Sequence, residues 1–125
     1  MKDRTLLGVY SELYNQLLGI NLPTTEIWQY PGFEKHVAKK HKNCLCYIDK
    51  IKEIINNPDY ISVNSKIPNS IEFIKRYSDI ILLSVNLDMN NGYLYVSSLY
   101  NIEEAKLDRK RHSGKLCQLF DKCEL

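Results

Sequence analysis

The strongest β-hairpin signal in this sequence constrains the fold more than any other feature. Residues 80–89 and 93–102 are rich in β-branched and aromatic side chains that alternate with polar ones, and they flank Asn90-Asn91-Gly92. Asn-Gly favours the two-residue turn of a hairpin because both residues tolerate a positive φ. The sequence therefore predicts a long antiparallel hairpin.

The register of this hairpin decides which side chains face the protein core. If Asn91 and Gly92 form the turn, Asn90 pairs with Tyr93, and opposite residues share a face. The predicted core face then carries Ile81, Leu83, Val85, Leu87, Met89, Leu94, Val96, Ser98, Tyr100 and Ile102. The other face carries Ser84, Asn86, Asp88, Tyr93, Tyr95, Ser97 and Asn101, a mixture of polar and aromatic groups typical of an RNA-facing sheet. A longer, bulged turn would reverse the faces of the second strand.

Hydrophobic periodicity predicts the remaining elements and places the helices mainly before the sheet. The predicted elements are a helix over 3–18, a strand over 27–30, helices over 33–41 and 45–56, strands over 60–63 and 71–77, and a final helix that ends near residue 114. This order indicates the α+β class with a mostly antiparallel sheet.

The composition excludes several classes of protein. The chain has 125 residues, a length typical of one domain, and its 44% hydrophobic and 26% charged residues exclude global disorder. No apolar stretch approaches ~18 residues, and the N-terminus lacks a signal-peptide pattern. We therefore expect a cytoplasmic protein without a membrane partner, with reduced thiols at its 4 cysteines.

A basic cluster that contains two histidines is the first candidate for chemistry. His36 and His41 flank Lys39 and Lys40 within the predicted helix over 33–41. Neighbouring lysines lower the tendency of a histidine to hold a proton, which suits a general base, and they can also bind phosphate. RNA cleavage without a metal ion needs a base, an acid and a cation for the phosphorane. The alternative interpretation is a solvated lysine face with His41 at the edge of the core.

The C-terminal segment carries a second concentration of positive charge. Its basic residues are Lys106, Arg109, Lys110, Arg111, His112 and Lys115. With a net charge of only +2 for the whole chain, this segment is the best local candidate for phosphate contacts. A solubilising terminus is the alternative.

Two further sets of residues have both a functional and a structural interpretation. His36, His41, Cys44 and Cys46 are residue types that bind zinc, but their spacing differs from the common paired knuckles, so we expect no metal and no cofactor. Nucleobases stack on aromatic rings such as those of the hairpin tyrosines, although tyrosine is also a good strand residue. The tyrosines of this aromatic set are Tyr93, Tyr95 and Tyr100.

Five short motifs occur in an order and spacing that resemble a known group of nucleases. They are His36-Val37-x-x-Lys40-His41, Asn57-Pro58-Asp59-Tyr60, the apolar strand over 80–87, Tyr95-Val96-Ser97-Ser98-Leu99-Tyr100, and Ser113-Gly114-Lys115 after the basic residues. This arrangement resembles the phage-associated members of the barnase, EndoU, colicin and RelE-like nuclease superfamily. The resemblance covers roughly residues 33–116 and leaves residues 1–30 as an N-terminal helical extension of a single domain over 1–125.

The resemblance implies a fold, an activity and a set of site residues. The fold is N-terminal helices on a four-stranded antiparallel sheet, and the activity is metal-independent endoribonuclease action in a phage, mobile-element or toxin setting. Together with the clusters above, it gives a catalytic set of His36, His41, Ser98, Tyr100 and Arg109. The RNA-binding set is Lys39, Lys40, Ser97, Lys106, Arg111, His112 and Lys115.

Two departures from the family pattern keep a second hypothesis open. Asn86 stands where the family often has a lysine, and the predicted register puts Ser98 on the core face, which leaves Ser97 as an alternative. The first hypothesis is an endoribonuclease acting on RNA, such as tRNA, with a cognate inhibitor protein. The second is an inactive nuclease-like module that binds RNA or a protein, for example a phage-encoded inhibitor. In an enzyme, a histidine, a basic residue and a strand hydroxyl should converge in one cleft.

Overall fold

The computed structural model describes residues 4–113 and 116–119, which form seven strands and four α-helices. A 3₁₀ helix, Lys42–Lys50, joins the second α-helix to the third. The elements are β1 (Thr5–Val9), α1 (Glu12–Leu18), β2 (Glu26–Gln29), α2 (Phe33–Lys40), α3 (Ile51–Asn56), β3 (Tyr60–Val63), β4 (Ser70–Arg76), β5 (Ile80–Leu87), β6 (Leu94–Ile102), α4 (Glu104–His112) and β7 (Leu116–Gln118).

All the strands belong to one mixed sheet in the order β1-β2-β6-β5-β4-β3-β7. Only β2 and β6 are parallel among the neighbouring pairs of the described residues. The predicted α+β class is therefore confirmed, whereas the expected four strands are wrong. The four central strands, β3 to β6, correspond to that expectation; β1 and β2 extend the sheet at one side and β7 at the other.

The predicted helix over residues 3–18 is wrong in its first half. Thr5–Val9 is a strand that pairs with β2, and a helix begins only after Ser11, whose Oγ accepts a hydrogen bond from the Leu13 backbone N–H at 3.1 Å. Gly19 ends this helix in the left-handed conformation, at φ 69°, as a C-terminal glycine does. The leucine spacing fitted a helix, but pairing with β2 decides the conformation of Thr5–Val9, because tertiary contacts override weak local preferences.

Apolar side chains are buried on both faces of the sheet. The larger core lies under α1, α2 and α3, and the smaller core lies under α4. In β5, Leu83 and Val85 face the larger core, whereas Leu82 faces the smaller one, where it joins Leu107 of α4. We call the side of the sheet that carries Leu82, Ser84 and α4 the α4 face.

The predicted hairpin over residues 80–102 is confirmed, but its register differs from the prediction. The turn is longer than two residues, because the ladder ends at Leu87–Leu94. In the loop, the Asp88 backbone C=O accepts a hydrogen bond from the Gly92 N–H at 2.8 Å. The Asp88 carboxylate also accepts hydrogen bonds from the backbone N–H groups of Asn90 and Asn91, so this side chain organises the turn.

A β-bulge within β6 changes the face of its second half. Val85 pairs with Val96, and the next pair is Ser84 with Ser98, so Ser97 is an extra residue in the ladder. The predicted placement of Ser98, Tyr100 and Ile102 on the larger core is therefore wrong. They lie on the α4 face, because one inserted residue exchanges the two faces of every following position.

Candidate nucleic-acid interface on the α4 face

A row of polar side chains crosses four strands on the α4 face. Ser98 pairs with Ser84, Ser84 with Glu72, and Glu72 with Ser62. Ser62, Glu72 and Ser84 are 1%, 5% and 6% exposed. The Ser62 hydroxyl donates a hydrogen bond of 2.7 Å to Glu72 Oε1. A buried row of hydroxyl and carboxyl groups is unusual inside a sheet, since apolar residues normally fill such positions.

Helix α4 is attached to this row by an ion pair. Lys110 Nζ lies 2.6 Å from Glu72 Oε1, and the two side chains are 19% and 6% exposed. A carboxylate this buried requires a cationic partner, and here the partner also lies on the helix that covers the sheet. Leu107, one turn earlier, is fully buried in the smaller core. Together these two contacts hold the basic side of α4 beside the serine row.

Tyr100 brings a histidine and a lysine together at the edge of the sheet. Its ring centroid lies 5.3 Å from that of His41 and 5.2 Å from Lys106 Nζ. β2 pairs with β6 at Ile27–Leu94 and Trp28–Tyr95, so the second half of β6 lies beyond this pairing. Helix α2 contacts β6, and His41, which follows α2, reaches the Tyr100 ring on the opposite face of the sheet.

The Tyr100 hydroxyl is held in its neutral form. Burial raises the pKa of Tyr100, and the negative charge of Glu72 adds to the rise. The phenol therefore remains a hydrogen-bond donor well above neutral pH. Such a donor next to a lysine and a histidine suits an anionic ligand.

His36 lies further from the sheet than His41. Its side chain is exposed, and its ring centroid is 6.4 Å from that of His41 and 6.4 Å from that of Phe33. The adjacent Lys39 and Lys40 are also exposed on α2. The predicted basic cluster is thus an accessible surface that begins at Tyr100 and continues along α2.

Two open grooves lie on either side of the basic residues of α4. One, of about 240 Å³, is bounded by β3, and the other, of about 380 Å³, is bounded by the end of β6 at Tyr100. Lys106 and Arg109 line both grooves. They are therefore the two predicted residues of the C-terminal segment that lie next to both Tyr100 and the serine row.

Other predicted site residues are engaged elsewhere. Arg111 lies 3.3 Å from the Asp108 carboxylate and donates to the Tyr60 hydroxyl at 3.4 Å. His112 Nδ1 lies 2.8 Å from the Asp108 backbone oxygen. Ser97, the bulge residue, donates to the Ser84 carbonyl at 3.3 Å. Lys115 lies outside the described residues.

Asn86 and the cysteines have ordinary structural surroundings. Asn86 Oδ1 accepts a hydrogen bond of 2.6 Å from the Ser70 hydroxyl, which ties β5 to β4. Cys44 is buried, and burial raises its pKa, while Cys46 is exposed. In residues 4–113 and 116–119, no three His, Cys, Asp or Glu side chains are grouped so as to hold a metal ion. Cys123 lies outside the described part of the chain.

Sequence reasoning missed Glu72, the centre of the polar row. The residue falls in the segment 71–77, where the apolar neighbours Ile71, Phe73 and Ile74 dominate the pattern. A signal was present, since an acidic residue inside such an apolar run is rarely buried without a partner. Its partner, Lys110, follows much later in the sequence, so the pair emerges only in the folded chain.

The comparisons with known proteins agree with the earlier resemblance. A family model described as phage-Barnase-EndoU-ColicinE5/D-RelE like nuclease3 matches residues 6–109, which is most of the chain. No curated protein and no solved structure matches it. Within the described residues, no helix is long and apolar enough to cross a membrane. The chain belongs to the phage-Barnase-EndoU-ColicinE5/D-RelE like nuclease3 family, a nuclease family of the phage and toxin type.

Proposed function

We propose that this protein is an endoribonuclease that cleaves RNA by attack of a ribose 2′-hydroxyl on the adjacent phosphate, without a metal ion. The observation that carries the proposal is the grouping of His41 and Lys106 on the ring of Tyr100, beside the Ser98 hydroxyl. This is the convergence of a histidine, a cation and a strand hydroxyl that an enzyme requires.

The two histidines provide the proton transfers of the proposed reaction. His41 accepts the proton of the 2′-hydroxyl, the 2′-oxygen forms a bond to phosphorus, and the bond from phosphorus to the 5′-oxygen breaks. His36, whose ring lies 6.4 Å from that of His41, gives a proton to the departing 5′-oxygen. An imidazole changes protonation state near neutral pH, so one ring can act as the base while the other acts as the acid.

The α4 face supplies groups that stabilise the negative charge of the phosphorane. Lys106 and Arg109 provide positive charge, and the neutral Tyr100 hydroxyl donates a hydrogen bond. Ser98 orients the scissile phosphate from the next position on the same face of β6. Lys39 and Lys40 bind the phosphates that lead away from the site.

The proposal also covers the biological setting. RNA, including tRNA, is the substrate, and the protein acts in the cytoplasm as a toxin or effector of a phage or mobile element. A cognate inhibitor protein that covers the basic face would protect the host that produces it. The family match supports this setting, because its description joins phage-associated and toxin nucleases.

Cleavage of defined RNAs in EDTA tests the proposed reaction. The products should carry a 2′,3′-cyclic phosphate and a 5′-hydroxyl, and the rate should follow a bell-shaped pH profile. A matched substrate with one 2′-deoxy nucleotide at the cleavage site should remain uncut, because it lacks the nucleophile. If a broad RNA panel remains uncut and no inhibitor has co-purified, the enzyme proposal fails.

An inactive binding module is the second candidate function, and the surface of the N-terminal elements favours it. Four apolar side chains of β1 and α1 are strongly exposed, which is typical of a surface that binds another protein. They are Leu6, Val9, Leu13 and Leu17, at 46%, 61%, 53% and 43% exposure. Under this alternative, substituting Leu13 and Leu17 with serine abolishes binding of the partner protein, whereas substituting His41 leaves that binding unchanged.

A further inference from the structure

We propose that Trp28, Tyr30 and Tyr95 form a stacking subsite for a nucleobase of single-stranded RNA, on the same sheet face as the proposed cleavage site. This inference deepens the proposed function and rests on it, because it assigns the position of bases that flank the scissile phosphate.

The three rings share one face of the sheet at the end opposite α4. Trp28 pairs with Tyr95 across the parallel β2–β6 contact, and paired residues project to the same side. Tyr95 also pairs with Asn86, which shares the α4 face with Ser84 two positions away. The ring of Tyr30 lies 5.4 Å from that of Tyr95, so the aromatic surface is continuous.

A planar cation already stacks on this surface. The guanidinium carbon of Arg4 lies 3.9 Å from the centre of a Trp28 ring and 4.7 Å from that of Tyr93. The ring faces are thus reached by a flat polar group, and a nucleobase has the same shape and stacking preference. When a base replaces the guanidinium, Arg4 can pair with the phosphate of that nucleotide.

A hydrogen bond holds the Tyr30 ring of the subsite, and the nearby charges indicate the orientation of the RNA. The Tyr30 hydroxyl donates a hydrogen bond of 3.1 Å to Asp88 Oδ2, which fixes the ring before any ligand binds. The Asp88 carboxylate repels phosphate, whereas Arg4 and the lysines of α4 attract it. The backbone of the RNA should therefore run from Arg4 toward Lys106, with its bases against the rings.

The stacking subsite lies close enough to the proposed cleavage site along β6 for one RNA strand to occupy both. Tyr95 and Tyr100 are five residues apart, or at most about 16.5 Å at ~3.3 Å per strand residue. A few nucleotides of extended RNA cover such a distance.

Trp28 is the single tryptophan of the chain, so fluorescence excited selectively at tryptophan, beyond the absorption of the tyrosines, reports on this surface. The probe is a short 2′-O-methyl RNA, which cannot be cleaved because its 2′-oxygen is blocked. We expect this RNA to quench the fluorescence, and an abasic oligonucleotide of the same length to bind more weakly without quenching. Equal quenching by both, or none by either, would overturn the subsite.

Variants separate ring stacking from other effects. Tyr95→Ala and Tyr30→Ala should weaken binding of the 2′-O-methyl RNA by about 5- to 150-fold, the usual range for loss of one stacked base. The control Tyr95→Phe keeps the ring and should bind like the unaltered protein. Unchanged affinity in both alanine variants, with circular dichroism showing a folded chain, would refute the inference.

The two proposals fail in different ways. If the protein cuts RNA but the base-containing probe gives no specific quenching, the stacking subsite is refuted and the nuclease activity stands. If RNA remains uncut while quenching depends on the bases and on Tyr95, the catalytic proposal is refuted and the subsite stands as part of an RNA-binding module.

Discussion

The imidazole of His41 lies against the ring of Tyr100, with 5.3 Å between centroids and an angle of 31° between planes. The two residues come from opposite sides of the sheet, since His41 follows α2 over the larger core and Tyr100 faces α4. Their contact exists because, among the described residues, β2 pairs with β6 only at Leu94 and Tyr95, and because the bulge at Ser97 turns Tyr100 toward α4. The same contact gives His41 both a packing role and a proposed catalytic role.

Substitutions of the histidines should separate these two roles. His36→Ala should abolish detectable cleavage while leaving thermal stability nearly unchanged, because His36 is exposed. His41→Phe retains a flat ring against Tyr100 but removes the proton-transfer group, so it should lose ~10²–10⁴-fold in rate and keep its melting temperature. Initial rates in EDTA and thermal unfolding measure both effects. An active His41→Phe would assign the chemistry to other residues.

The two serines of the bulge should differ in their effects on cleavage. Ser98→Ala removes a hydroxyl from the α4 face and should lower kcat by roughly 10- to 100-fold, the effect of one hydrogen bond to a charged group. Ser97→Ala removes only the bond to the Ser84 carbonyl, so it should cost ~1 kcal/mol of stability and leave kcat nearly unchanged. The opposite ranking in steady-state kinetics would place Ser97 in the site.

Lys106 and Arg109 should contribute to RNA binding through charge. Each alanine substitution should reduce the slope of log affinity against log salt by about 0.7 for a single-stranded ligand. Fluorescence anisotropy with a labelled 2′-O-methyl RNA over a salt series measures the slope. Lys52→Ala, on the exposed side of α3, is the matched control and should leave the slope unchanged. Equal slopes in all three variants would remove α4 from the interface.

The ion pair between Glu72 and Lys110 should be strongly coupled. Because both side chains are largely buried, Glu72→Leu or Lys110→Met alone leaves an uncompensated charge and should cost roughly 3 kcal/mol or more in unfolding free energy. The double variant should recover much of this loss, since it buries no charge. Urea denaturation of the four proteins in a double-mutant cycle provides the coupling energy. Simple additivity would show that the pair does not hold α4 on the sheet.

Acid should weaken the attachment of α4 to β4. Arg76 donates hydrogen bonds to both Glu104 carboxylate oxygens, and this lowers the pKa of Glu104 from its ordinary value of 4.5. A lowered folded-state pKa stabilises the fold above pH 4.5, and the stabilisation is lost as the pH falls through the lower value. Glu104→Gln should therefore flatten the decline in stability as the pH falls below 4.5. Glu103→Gln, the neighbouring control, should retain that decline when melting temperature is followed against pH.

Local sequence determined much of the secondary structure. The alternation in residues 80–102 predicted the hairpin, the helix predicted to end at residue 18 does end at Leu18, and the apolar runs predicted β3 and β4. Each of these features depends on neighbouring residues or on a strong period. The family resemblance was also contained in short motifs, and the family match over residues 6–109 agrees with it.

Only the tertiary structure determined on which face of the sheet each site residue lies and which residues meet there. The leucine spacing near the N-terminus predicted a helix from residue 3, but pairing of β1 with β2 makes Thr5–Val9 a strand. The bulge at Ser97 has no local signature, because it places Leu99 in the larger core while Ser98 lies on the α4 face opposite Ser84. Glu72 and Lys110, like His41 and Tyr100, are distant in sequence and meet across separate elements. Their contacts depend on how α2 and α4 pack against the sheet. This packing involves residues from the whole chain, so no short segment of sequence predicts it.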